Sequence, residues 1–124
     1  MAGLSFIQLS AFARNWKQLK LSDDDLRDLE KSIQANPTAP PVMKGAGGLR
    51  KIRLSPGSSS SGKSGGVRVC YAYFAEFGLV YLCAVFAKND KANLSKAEST
   101  AYTDLLQRFD QYLRRQFKSK GITP

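Results

Sequence analysis

The chain has 124 residues, 43% of them hydrophobic, enough for one domain with a real core and short for two. Nineteen Lys and Arg against ten Asp and Glu give a net charge of +9, so an anionic partner is expected. With no histidine and two cysteines, Cys70 and Cys83, the composition excludes a disulfide framework and argues against a zinc site.

Both cysteines sit in apolar runs and are expected to be buried free thiols. The N-terminal MAGLSFIQLSAFARN lacks the charged start and long apolar core of a signal peptide. The longest apolar run, Leu79–Ala87, is under half the roughly 20 residues a spanning helix needs. A soluble cytoplasmic protein is the expectation, as a single domain over residues 1–124.

In chain order, Ser5–Leu9 reads as a short strand. Ser10 is placed to cap a first helix whose Phe12, Trp16 and Leu19 fall at i, i+4 and i+7. Ser22 followed by Asp23, Asp24 and Asp25 opens a second helix, with acids in its positive first turn and Leu26, Leu29 and Ile33 as its buried stripe. The three aspartates are read as a cap, not a metal site, because adjacent side chains on a helix start diverge. Asn36-Pro37 ends that helix, since the residue before proline resists helical backbone. Pro37–Val42 is a connector, and Gly45, Gly47 and Gly48 are turn or bulge glycines before the next strand.

Leu49–Leu54 alternates across a pleat, with Lys51 and Arg53 on one face and Arg50, Ile52 and Leu54 on the other. Val67–Phe74 and Leu79–Phe86 follow, joined at Glu76-Phe77-Gly78, and the three runs read as an antiparallel meander. The last is apolar on both faces, as a central strand is. Ser95 with Glu98 makes a capping box for a long C-terminal helix. Ala101, Leu105, Phe109, Leu113 and Phe117 are its expected stripe, while Arg114, Arg115 and Lys118 suit its negative end.

The charge is unevenly spread. Residues 1–36 hold five cations and five acids, and residues 76–124 hold eight and five. Residues 37–75 hold six cations (Lys44, Arg50, Lys51, Arg53, Lys63 and Arg68) and no acid, the footprint of a surface that holds a polyanion. Gly57 to Ser64, GSSSSGKS, matches the Walker A expression, yet a β-patterned run follows where that motif requires a helix N-terminus. A serine-rich hairpin loop explains the letters better.

Without histidine, catalysis on RNA has one open route: the 2′-hydroxyl attacks the neighbouring phosphate while crowded cations stabilise charge and move protons. Lys51, Arg53, Arg68 and Lys88 are the candidates. The plainer alternative is that these cations only grip phosphate. A regulator of duplex DNA fits poorly, because the C-terminal helix offers basic residues only near its end.

Three motifs, GAGGLRKIRL, GKSGGVRVCYAY and YLCAVFAKNDKANLSKAE, in this order over about Leu21 to Leu106, resemble the RelE/HigB superfamily of bacterial toxins, especially its HigB-like branch. The resemblance implies an α+β fold, a small antiparallel sheet with two N-terminal helices and a C-terminal helix packed on one side of it. It implies a ribosome-dependent endoribonuclease that cuts mRNA in the A site of the small subunit, leaving a cyclic phosphate and a 5′-hydroxyl. It further implies neutralisation by a cognate antitoxin, usually a small helix-turn-helix protein, with operator DNA bound only through the complex. No metal or cofactor is implied.

By position, Arg68 matches the family's scissile-phosphate arginine, and Lys51 and Arg53 match its basic pair on the preceding strand. Lys88-Asn89 falls where many members carry a basic pair; Arg50, Lys63 and Asn89 are expected to help hold RNA. Where some members place a catalytic tyrosine this chain has Ser95, which leaves the general base unassigned. The alternative function is a non-catalytic RNA- or ribosome-binding module, including a degenerate toxin.

Overall fold

The computed structural model describes residues 3–56, 66–91 and 93–119. The glycine-serine segment with the Walker-like letters, including Lys63, lies outside the described residues. Gly66 leads directly into a strand at Val67, so the described residues that follow the segment are a strand and not the helix a nucleotide loop is followed by.

The elements run β1 (Ser5–Gln8), α1 (Ser10–Gln18), α2 (Asp23–Ala35), β2 (Arg50–Leu54), β3 (Val67–Phe74), β4 (Leu79–Ala87) and α3 (Lys96–Ser119). A four-stranded sheet has the order β1-β4-β3-β2. The expected meander is present, β2 on β3 and β3 on β4, both antiparallel. The sheet is nevertheless mixed, because β1 pairs parallel with β4 in the register Ser5–Leu79 to Gln8–Leu82. A four-residue strand carries no local signal of its partner's direction; that is set by where α1 and α2 return the chain.

The second departure concerns the layers. Phe12, Trp16, Leu29 and Ile33 of the first two helices pack with Leu54, Val67, Val69, Tyr71, Val80, Leu82 and Val85. Leu106 and Leu113 of α3 pack with Leu49, Cys70, Ala72, Tyr81, Cys83 and Phe86. The helices therefore cover both faces of the sheet, not one. β3 and β4 are apolar on both sides for this reason, as strands buried on two faces must be.

Strand β4 stays in phase with this arrangement through a bulge. Cys70 pairs with Ala84 and Tyr71 with Leu82, which leaves Cys83 without an opposite residue. Before it, Val80 and Leu82 face α1 and α2; beyond it Val85 takes that face and Phe86 faces α3.

Caps behave mostly as expected. Ser22 and Asp25 exchange bonds of 3.0 Å in a capping box, and Ser95 with Glu98 does the same at 3.1 and 2.8 Å. Ser10 does not cap: Leu9 holds the N-cap position of α1 and Ser10 is already helical. On α3, Leu106 and Leu113 are buried and Tyr102, Phe109 and Phe117 pack beside them, while Ala101 is exposed. A strict i+4 series rotates about 40° per step around the helix, so the buried stripe must mix steps of four and three.

Candidate nucleic-acid interface

Residues directly opposite across an antiparallel pair share a face. Lys51 faces Cys70 and Arg53 faces Arg68, while on the next strand Phe86 faces Arg68 from its other side. Cys70 and Phe86 belong to the cluster under α3. Lys51, Arg53 and Arg68 are thus brought together on the α3 face of the sheet, at the β2 edge. Arg53 is exposed, and Lys51 and Arg68 are half-buried. Arg53 and Arg68 sit directly opposite in the ladder, which concentrates positive charge at this edge.

Lys88 lies one residue past β4, with its amide donating to the Gly66 carbonyl at 3.3 Å, beside the start of β3. The turn that follows sends amides of Asp90 and Lys91 back to the Ala87 carbonyl. It places the Lys91 ammonium 5.1 Å from the centre of the Phe86 ring, and both Glu98 oxygens accept from that ammonium at 2.8 Å. Lys91 was not among the sequence candidates. Its signal was available: a lysine three positions after Lys88 across a turn.

Arg50 and Asn89 are not brought to this cluster. Arg50 faces Tyr71, on the α1–α2 side. Its guanidinium donates to the Thr38 and Pro40 carbonyls at 3.0 and 2.7 Å, and the Tyr71 hydroxyl donates to Pro37 at 2.8 Å. Together they clamp the connector. Asn89 lines a separate cleft with Leu19, Lys20, Leu21, Pro56 and Asp90.

The other titratable groups nearby are set for structure. Burial pushes the Cys70 thiol up to about 11, against the pull of Lys51 and then Lys91, so it stays protonated at neutral pH. Tyr102, seven residues beyond Ser95, donates its hydroxyl to the Cys83 carbonyl at 3.1 Å and is pushed up to about 12, first by burial. Glu98 is held below the usual carboxylate range, first by its bond from Lys91 and then by the Ser95 amide. A carboxylate stabilised in this way is a weak base. Among the described residues no group of three or more His, Cys, Asp or Glu could hold a metal ion, and no helix is long and apolar enough to cross a membrane.

The site's wall is built by the turn at residues 43–49. Gly47 has φ +70°, and a Cβ there would stand 2.6 Å from the Thr103 Cα, so only glycine lets this turn lie against α3. Gly66 has φ +57°, and a Cβ there would stand 2.4 Å from the Leu54 carbonyl oxygen, where β3 begins beside the end of β2.

Comparison with known proteins agrees with this architecture. Residues 7–121 match the family model described as RelE toxin of the RelE / RelB toxin-antitoxin system. The fold is similar to that of the E. coli toxin RelE in the free state, a form with two arginines replaced by alanine. That match has a TM-score of 0.50 and 19% identity over 73% of this chain and 88% of the other. The family model speaks for RelE as a whole and does not single out the HigB-like branch.

Proposed function

This chain belongs to the RelE toxin family of toxin–antitoxin systems, and from that premise we propose that it is a ribosome-dependent mRNA endonuclease acting in the cytoplasm. The observation that carries the proposal is the row of cations across β2 and β3: Arg53 directly opposite Arg68, with Lys51 on the same face. A sheet edge that sets like charges opposite each other is suited to a ligand that brings the opposite charge.

In this reading a ribonucleotide linkage lies along the row. The 2′-hydroxyl attacks the adjacent phosphorus and the bond to the 5′-oxygen breaks, giving a cyclic phosphate and a 5′-hydroxyl. Arg68 and Arg53 donate to the phosphoryl oxygens as negative charge builds there. Lys51 is suited to proton transfer, because an amine can release a proton whereas a guanidinium in a protein cannot. Lys88 adds a contact to the strand from the end of β4. The mRNA is positioned in the A site of the small ribosomal subunit. The chain's partner is a cognate antitoxin, a small helix-turn-helix protein, and operator DNA is reached only through that complex.

The competing reading is a module that binds RNA without cutting it, and the tied-up state of Glu98, Tyr102 and Cys70 is the observation in its favour. Ribosomes stalled on a defined mRNA, followed by mapping of new 5′ ends, separate the two. Cuts at the decoding site are expected, with Arg68→Ala lowering their rate by about 10²–10³-fold and weakening RNA binding far less. Folded protein that leaves the mRNA intact would refute the enzyme.

A further inference from the structure

The groove beside Lys51 enters the scheme above only through that lysine. It encloses about 340 Å³ between the connector and the start of α3, and is lined by Val42, Met43, Lys44, Lys51, Asn93 and Leu94 among others. That is at the low end of the roughly 300–1,000 Å³ of small-molecule sites, a size suited to one base with part of its sugar.

Three features set the groove apart from ordinary surface. Val42 is 52% exposed, one of three exposed large hydrophobic residues among those described. It is held there by a bridge to Arg50, while the neighbouring Met43 amide donates to Leu49 at 2.7 Å. The wall is therefore tied to the sheet. The Asn93 carboxamide oxygen accepts from the Leu94 amide at 3.0 Å, which leaves its NH₂ to offer a ligand.

We propose that this groove is a nucleobase subsite, taking the unpaired base next to the linkage held by Lys51, with the Asn93 NH₂ donating to an acceptor on the base edge. The proposal rests on the reading of this chain as an RNA-cutting toxin. Val42, Met43 and Leu94 supply apolar cover for the faces of a flat ring, as single-stranded RNA sites require. The charged residues lining the groove, Lys44 and Lys51, are both cations. With donors from Asn93 and the lysines, the groove favours a base edge rich in acceptors, such as one presenting a purine N7.

The test uses short single-stranded purine RNA and the same RNA with 7-deazapurines, in which N7 is replaced by carbon. Binding to the intact protein is followed by fluorescence anisotropy at fixed salt. Wild-type protein is expected to bind the natural RNA about fivefold more tightly, the worth of one hydrogen bond. Asn93→Ala should lose that discrimination, whereas Lys88→Ala should weaken both RNAs alike. Equal binding of the two RNAs by wild-type protein overturns the subsite whether or not the protein cuts mRNA, so the two readings fail separately. Discrimination that survives in Asn93→Ala overturns the assignment of that residue.

Discussion

The two faces of the sheet use the same strands differently. Towards α1 and α2 the strands present Leu54, Val69, Tyr71, Val80 and Leu82, all buried in one apolar cluster. Towards α3 the cluster is again apolar at β3 and β4, but at the β2 edge it gives way to Lys51, Arg53 and Arg68. Strand β2 shows the contrast within three residues. Arg50 spends its guanidinium on the Thr38 and Pro40 carbonyls, while Arg53, of the same type and on the same strand, stays exposed. One face is packed for stability; the other is left partly open and charged, and that is where chemistry has room.

The contrast can be broken most severely from the packed side. Leu82→Ala removes a fully buried side chain, and a loss of about 2–5 kcal/mol is expected in urea unfolding. Activity per folded molecule should survive. A paired substitution on β2 sharpens the comparison. Arg53→Ala should leave the unfolding midpoint nearly unchanged and lower mRNA cleavage by about 10²-fold. Arg50→Ala should do the reverse, losing about 1–2 kcal/mol of stability by releasing the connector, with cleavage per folded molecule retained.

The smallest effect is electrostatic. Because the carboxyl of Glu98 sits below its ordinary value of 4.5 when folded, its pairing with Lys91 and Ser95 stabilises the fold fully above that value. The contribution is lost as pH falls through the depressed folded value. Both side chains of the pair are more than a third exposed, so its worth is under about 1 kcal/mol. The stability difference between wild type and Glu98→Gln, measured at pH 7 and again at pH 3, should shrink at the lower pH.

Much of this was legible in the sequence. A period of two assigned Lys51 and Arg53 to one face and Arg50 to the other, because pleating is a local property. The capping box at Ser95 and the serine cap at Ser22 were readable from four residues each, whereas the return bond from the Ser22 amide to Asp25 came only with the structure. What was not legible is what tertiary contact decides. The parallel pairing of β1 and the placing of helices on both faces depend on the path of the whole chain. Arg50 read as a surface cation because its partners are backbone carbonyls ten and twelve residues away, which have no letter in a sequence. Tyr102 and Leu106 displaced Ala101 and Leu105 because the helix rotates away from a strict fourfold count. The groove at Val42 joins segments some fifty residues apart.

The unpaired Cys83 sets the phase of everything after it on β4. Were the pleat regular through Cys83, with no bulge, Val85 would exchange sides with Phe86, and the ring beneath the Lys91 ammonium would turn toward α1 and α2. Both layers are greasy enough to accept either alternation, so hydrophobicity does not choose between them. The local kink at one buried residue, and not its side chain, thereby decides which way the end of the strand is facing.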